Sequence, residues 1–274
     1  MKKFISPAKI NLGLWVLGKR PDGYHEILTY FHTIELADYI SISKAPKLII
    51  ETTNPEIPTN EENIVYKALK KFEEWTGIEP NYKVFIEKNI PVGAGLGGGS
   101  SNAATVLKAI NEIEGNPLTE EELFKLASTV GADVPFFLKG GFAKAEGIGE
   151  KLTFLDKTFE EKIFIIYPQV SISTKEIYQA LTEKDLTKKE EIPIIDSLLE
   201  DFNLLLDRIE NKLKTVVQEK YPVVKEVINT LEYLGYKPFL SGSGSAVFAV
   251  GTPSEKVKLV CKTKGWRLIE TTLK

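Results

Sequence analysis

Pro91-Val92-Gly93-Ala94-Gly95-Leu96-Gly97-Gly98-Gly99-Ser100-Ser101-Asn102 crowds five glycines into seven positions. Glycine gives up more backbone entropy on ordering than any other residue, so such a cluster suits a chain that must take φ > 0 and lie directly against a ligand. Ala103, Val106, Leu107, Ile110 and Ile113 follow at helical spacing. A glycine-rich loop that feeds a helix start presents amide N–H groups at the positive end of the helix dipole. That junction is an anion site, and phosphate is the usual anion. No Lys-Ser/Thr closes the loop, so it is not the Walker pattern. A tight surface turn is the plainer reading of the same residues.

Three other stretches carry groups that do chemistry. In Pro7-Ala8-Lys9-Ile10-Asn11, a lysine and an asparagine two positions apart in an otherwise apolar strand share one face. Lys9 either meets a charge there or snorkels to water from a sheet edge. Lys19-Arg20-Pro21-Asp22-Gly23-Tyr24-His25-Glu26 is a turn by its Pro-Asp-Gly core, and it displays an aromatic, an imidazole and a carboxylate in a row. Tyr24 as a core aromatic beside a solvated His25 is the bland alternative. Asp133, between Ala132 and Val134-Pro135, is expected to be partly buried, and a buried carboxylate needs partners or a task. Capping a helix or turn is an ordinary task of that kind.

The elements that must position these groups follow from periodicity and punctuation. Strands are expected over residues 2–17, 28–42, 47–53 and 82–88, the last delivering the chain into the glycine loop. Val65, Leu69, Phe72 and Trp75 predict a helix over 62–75 that stops at Gly77. Thr119-Glu120-Glu121-Glu122 is a capping box opening a helix to about Thr129. Residues 140–150 read as flexible and turn-rich, and 151–160 as charged and loop-like, with a domain boundary at 155. A strand over 163–167 and a helix capped by Ser173-Thr174 come next. Residues 182–192 read as a solvated linker or mobile loop. Helices are expected over about 194–218 and 222–234, the second opened by Pro222 and closed by Gly235. Phe239 to Phe248, with Ser241-Gly242-Ser243-Gly244-Ser245 at its centre, reads as a glycine-rich turn between strands. A helix from about Ser254 and a strand over 267–273 end the chain.

Composition removes several function classes. The chain has 274 residues, 43% hydrophobic and 27% charged, which suits an ordinary globular protein of one large or two ordinary domains. A net charge of -3 gives no basic footprint for nucleic acid. Cys261 is the only cysteine, so neither an intramolecular disulfide nor a thiolate metal cluster is available, as suits a reducing, cytoplasmic setting. Lys9 and Asn11 interrupt the apolar start, so no signal peptide is expected, and no run of 18 apolar residues predicts a membrane span.

Pro7 to Leu14, Pro91 to Asn102 and Ser241 to Ser245, in this order across nearly the whole chain, resemble the three sequence motifs of the GHMP kinase superfamily. Ser6-Pro7-Ala8-Lys9-Ile10-Asn11-Leu12, the Gly23-Tyr24-His25-Glu26 turn and Gly131-Ala132-Asp133-Val134-Pro135 resemble its branch with a cytidylyl acceptor. The resemblance implies a two-domain α+β fold. Its N-terminal domain (1–155) would be like domain 2 of ribosomal protein S5, its C-terminal domain (156–274) an α/β sandwich, and the active site would lie in the cleft between them. It implies ATP-dependent phosphorylation of the 2-hydroxyl of a cytidine diphosphate methylerythritol, in the non-mevalonate route to isoprenoids. By similarity Asp133 is the base, and Lys9 orients and neutralises around it. Residues 91–101 wrap the triphosphate with Ser101 near Mg2+, and Asn63, Lys88 and Asn102 line the adenine pocket. Tyr24 and Tyr178 sandwich the cytosine while His25 reads its polar edge. Asn11, Thr174, Ser241 and Gly242 complete the acceptor site. No acidic metal ligand is identified, and Glu146 and Glu150 are read as structural. The partner is a small molecule, with no nucleic acid or membrane, and the enzyme is a monomer or weak homodimer. A superfamily kinase acting on mevalonate, homoserine or a sugar is the first rival, but such substrates offer Tyr24 and His25 no base. A non-catalytic nucleotide-binding module is the second, against which Lys9 and Asp133 weigh.

Overall fold

The computed structural model describes residues 2–193, 195–198 and 200–274. In chain order the strands and helices are β1 (Lys2–Lys19), β2 (His25–Lys44), β3 (Ile49–Thr52), α1 (Ile64–Thr76), β4 (Tyr82–Glu87), α2 (Gly98–Ile113), α3 (Glu120–Val130), α4 (Val134–Lys139), β5 (Phe142–Gly147) and β6 (Lys151–Leu155). They continue with β7 (Lys162–Tyr167), α5 (Thr174–Gln179), α6 (Phe202–Arg208), α7 (Lys214–Lys220), α8 (Pro222–Tyr233), β8 (Phe239–Leu240), β9 (Val247–Val250), α9 (Glu255–Lys264) and β10 (Arg267–Thr272). The mixture of helix and strand is the expected α+β composition. The chain divides into two compact units, each assembled from separate stretches of sequence.

The first unit comprises Met1–Ala8, Leu36–Pro91 and Gly97–Gly140. The later half of β2 pairs antiparallel with β4, Tyr39 opposite Glu87, and β4 pairs parallel with β3. α1 and α4 pack on α2, and α3 packs on α1 and α4. Asn63 caps α1 by accepting from the Val65 amide at 2.8 Å, and Gly77 ends it at φ 72°. Val65, Ala68, Leu69 and Phe72 form the stripe that α1 buries, the spacing that predicted the helix. The capping box of α3 is present, with Thr119 and Glu122 bonded reciprocally. α4 was not expected. Pro135 in its first turn, where a missing N–H costs nothing, starts the helix as readily as it marks a turn.

The second unit comprises Lys9–Glu35, Val92–Leu96 and Gly141–Lys274. Its first sheet carries the early half of β2 antiparallel to β5, Ile27 opposite Gly147, and β5 antiparallel to β6. β5 and β6 replace the expected flexible stretch. Phe142, Ala143 and Ala145 are buried, and the glycines at 147 and 149 serve the hairpin turn alone. A second antiparallel sheet runs β10-β7-β9-β8. Val224, Val227, Ile228 and Leu231 of α8, Ile177 of α5 and Val257 of α9 pack with Phe164 and Ile166 of β7 in one apolar cluster.

Two expectations here are corrected. The helix over 194–218 is broken into a 3-10 turn (Ile195–Leu198), α6 and α7. The Asp201 side chain starts α6 afresh by accepting from the Asn203 and Leu204 amides, and Asn211 bends the chain toward β1 and the 240–242 turn. Residues 182–192 are no simple solvated linker. They hold two short 3-10 turns, bury Asp185 and Thr187, and bond Thr187 N to Val16 O at 2.7 Å. A charged stretch is anchored whenever a few of its polar groups find buried partners.

Candidate active site

In the first unit the glycine segment ends as the start of a helix. Gly97, at φ 70°, takes the N-cap position of α2 and offers no side chain to it. The opening amides of α2, Gly98, Gly99 and Ser100, therefore lack intrahelical acceptors, the arrangement that receives anions. Just inside the helix, Ser101 and Asn102 are buried. The Ser101 hydroxyl is 2.8 Å from that of Ser6, and the Asn102 amide donates to Ser6 Oγ at 2.9 Å and to Asp38 Oδ2 at 2.8 Å. Lys88 donates to Asn102 Oδ1 at 3.2 Å and pairs with Asp38. Burial pulls the Lys88 ammonium below the usual lysine range, against the opposing effect of the Asp38 carboxylate. Asn63 is spent on capping α1 and on Pro58 O, to which it donates at 2.6 Å.

Asp133, half-buried, occupies the N-cap position of α4 but makes no side-chain cap bond. The ordinary capping explanation for this carboxylate is thus removed. Among the described residues, no group of three or more His, Cys, Asp or Glu side chains is arranged to hold a metal ion. The Glu150 carboxylate accepts from the Ile148 amide at 2.7 Å and closes the β5–β6 turn, a structural task.

In the second unit the earlier half of the glycine segment is held by its carbonyls. Gly93 O accepts from Ile172 N at 2.9 Å, Ala94 O from Ala246 N at 3.1 Å, and Leu96 O from Lys9 N at 3.0 Å. Gly95 O accepts from the Ser241 hydroxyl at 3.0 Å. Among the described residues, no amide from Gly93 to Leu96 donates a hydrogen bond within this unit. The carbonyls alone fasten this stretch of backbone within the unit. Gly93 and Gly95 have φ of 62° and 77°, and an added Cβ would stand 1.7 Å from Ser171 Oγ and 2.1 Å from Ser241 O respectively. Glycine is the residue both the conformation and the space require.

Lys9 and Asn11, both buried, do share a face of β1. The Lys9 ammonium donates to Asn11 Oδ1 at 2.6 Å and lies 4.9 Å from the centre of the Phe31 ring. The Asn11 amide donates to Thr29 Oγ1 at 2.8 Å, and Thr29 donates to Gly13 O at 2.6 Å. That chain of donors fixes which way Asn11 faces. Gly242, at φ 55°, lies beside it, since an added Cβ would be 3.2 Å from Asn11 Oδ1. Thr174 and Ser243 hydroxyls are 2.8 Å apart. At the β1–β2 turn, Arg20 N donates to Tyr24 O at 2.7 Å and Gly23 takes φ 87°. His25 packs on Tyr178 with ring centres 5.5 Å apart, and burial with the Lys19 charge lowers its pKa. Tyr24 is 60% exposed, so its ring is not a core aromatic. The structure therefore gathers Lys9, Asn11 and Gly242, joins Ser241 to Gly95, and sets His25 rather than Tyr24 against Tyr178.

Two participants escaped the sequence reading. Asp38, fully buried, is as odd in the apolar run of β2 as Lys9 is in β1, and the same test finds it. Thr29 gave no signal, because threonine is ordinary in a strand.

The sequence matches the family models for the GHMP kinases N terminal domain over residues 63–141 and the GHMP kinases C terminal over residues 192–262. A 4-diphosphocytidyl-2-C-methyl-D-erythritol kinase of Persephonella marina is 62% identical over 274 residues, 100% of either chain. The crystal structure of a 4-(cytidine 5'-diphospho)-2C-methyl-D-erythritol kinase superposes with a TM-score of 0.82 at 33% identity, over 99% of each chain. Mevalonate kinase of Methanococcus jannaschii superposes with a TM-score of 0.70 at 16% identity, over 100% of this chain and 98% of that one, and shares the fold alone.

Proposed function

The chain belongs to the GHMP kinase family, and on that premise we propose that it transfers the γ-phosphoryl group of ATP to the 2-hydroxyl of 4-diphosphocytidyl-2-C-methyl-D-erythritol. The products are the 2-phosphate and ADP, in the non-mevalonate supply of isoprenoid precursors. The observation that carries this reading is the full-length likeness at 62% identity to a kinase of that name.

In this reading Asp133 takes the proton of the acceptor hydroxyl as its oxygen bonds to the γ-phosphorus and the bond to the β–γ bridging oxygen breaks. Phosphoryl transfer asks for in-line positioning and charge compensation more than covalent help. Lys9 compensates charge, and Asn11, locked by Thr29, aims its ammonium. Pro91 to Asn102 receive the phosphates with backbone amides, and Asn63, Lys88 and Asn102 border the adenine. Tyr24, His25 and Tyr178 receive the cytosine, where stacking gives affinity and hydrogen bonds give base choice. Thr174, Ser241 and Gly242 border the rest of the acceptor. In this reading residues 1–155 form the ATP-binding part and 156–274 the C-terminal part of the kinase.

On this reading Mg2+ would come with the nucleotide and be held chiefly through the phosphates, with the Ser101 hydroxyl, 2.8 Å from that of Ser6, as the one protein oxygen assigned to it. The ion would neutralise charge developing on the phosphate oxygens. Among the described residues no helix is long and apolar enough to cross a membrane. The reading places the enzyme in the cytoplasm as a monomer or weak homodimer.

A coupled ADP-release assay tests the proposal by comparing the cytidylyl acceptor with mevalonate and homoserine. Turnover is expected with the first alone. Comparable turnover with mevalonate or homoserine would overturn the assignment.

A further inference from the structure

Beneath the glycine segment, within the first unit, one carboxylate collects four donors. Asp38 Oδ1 accepts from the amides of Asn89 at 2.7 Å and Ile90 at 2.8 Å. Asp38 Oδ2 accepts from the Asn102 amide at 2.8 Å and from the Lys88 ammonium. A carboxylate offers about four acceptor positions, so Asp38 is saturated. Its donors come from residues 88–90, which lead into Pro91, and from the first turns of α2 beyond Ser101. Both flanks of the glycine segment are pinned to a single buried charge.

We infer that Asp38 is a positioning residue for the nucleotide end of the reaction, holding Lys88 and Asn102 in the orientation in which they border the bound nucleotide. The inference rests on the proposed role of those two residues. The Lys88 ammonium lies at the opening of α2, since a Cβ added to Gly98 would stand 3.1 Å from its Nζ. A cation at a helix N-terminus is unfavourable, and Asp38 offsets that charge. Asn102 is oriented by the same pair, because its oxygen accepts from Lys88 while its amide donates to Asp38 and Ser6. Without the carboxylate, the ammonium must swing outward or shed its proton, and Asn102 is left with its Ser6 bond alone. A buried ion pair adds little net stability compared with apolar residues of like volume. Its value here lies in orientation.

Two variants test this by ADP titration calorimetry, KM values for both substrates, and thermal unfolding. Asp38→Asn is expected to raise the ADP Kd and ATP KM about tenfold, the effect of losing a charge-assisted bond, with the acceptor KM nearly unchanged. Asp38→Asn/Lys88→Met keeps an acceptor for the two amides and removes the stranded cation. It is expected to recover wild-type thermal stability yet, with Asn102 no longer held by Asp38, to bind ADP more weakly than a Lys88→Met control, and that comparison carries the titration should Asp38→Asn fail to fold. An equal rise in both KM values, recovery of nucleotide affinity together with stability, or unchanged ADP binding would each overturn the inference. If the wild type turns over no cytidylyl acceptor, the functional assignment falls, whereas the ADP titrations still decide the role of Asp38.

Discussion

Gly95 and Gly99 lie in the same glycine run, yet alanine is expected to act with opposite sign at the two. Gly95 holds φ 77°, and its added Cβ would stand 2.1 Å from Ser241 O and 3.0 Å from Gly244 O. An L-residue in the left-handed region costs roughly 1–2 kcal/mol. The contact with a backbone oxygen cannot relax by a side-chain rotation, so the segment must withdraw. Withdrawal stretches the Ser241 Oγ to Gly95 O bond of 3.0 Å and the Ala246 N to Ala94 O bond of 3.1 Å. At about 1 kcal/mol net for each bond, the total is about 3–4 kcal/mol. In a domain of 150–250 residues each kcal/mol moves Tm by roughly 2–4 °C, so Gly95→Ala should melt roughly 6–16 °C early. Gly99, in the first turn of α2, is not left-handed, and its Cβ would meet only Ile64 Cγ2 at an ordinary 3.6 Å. Alanine in a helix is favoured over glycine by up to about 1 kcal/mol, so Gly99→Ala should hold or raise Tm. Scanning calorimetry of both variants decides the matter. Coincident melting would show that the glycines are not conformationally required in the way described.

Asp133→Asn should bind both substrates normally and lower kcat by about 10²–10⁴, the usual contribution of a general base; turnover near wild type would remove Asp133 from that role. Tyr178→Ala should raise the KM of the cytidylyl acceptor several-fold and leave that of ATP alone, and an equal rise in both would indicate damage to the fold. His32 gives a stability prediction. Its Nδ1 lies 2.8 Å from Thr33 O and its Nε2 accepts from Phe159 N at 3.0 Å, so the ring is neutral with its proton on Nδ1. Burial pushes its pKa down to about 4, against about 6.5 in an unfolded chain. Between those values the unfolded state binds more protons, so this contribution is complete above pH 6.5 and is lost as pH falls toward 4. The loss at pH 4 is about 3 kcal/mol by linkage. Denaturant unfolding of wild type and His32→Gln at pH 7 and pH 4.5 checks it, and an equal pH dependence in both would count against His32.

Local signals with a mechanism survived in the structure. Asn63 and Gly77 bound α1, Thr119 with Glu122 opens α3, and the glycine segment feeds α2, because each is decided by hydrogen bonds within a few residues. The shared face of Lys9 and Asn11 follows from strand geometry alone. Signals that depend on distant residues were misread. Gly140 to Glu150 read as flexible because β5 shows its strand character only against β2, where Ala143 and Ala145 are buried. The helix over 194–218 was extrapolated through Asp201 and Asn211, whose side chains serve the backbone better than a continuous helix would. Asp38 carries a local signal, a charge inside an apolar run, but what it does is set by four donors that lie 50 or more positions away.

The interleaved make-up of the two units orders events during synthesis. Every stretch of the first unit has left the ribosome once Gly140 emerges, so that unit can fold while the rest is still being made. The early half of β2 can meet β1, which precedes it, but not the partners that follow. Its other partner β5 begins at Phe142, and Ile34 forms its bridge with Leu273, more than 200 positions further along the chain. Ile27, Leu28, Tyr30 and Phe31, all buried in the finished protein, lack part of that cover until β5 and the later core residues have been made. A fragment ending near residue 155 would keep that strand but lack β7 to β10 and the helices that share its core. It would be prone to aggregate, and the nascent chain carries the same exposure until those elements follow.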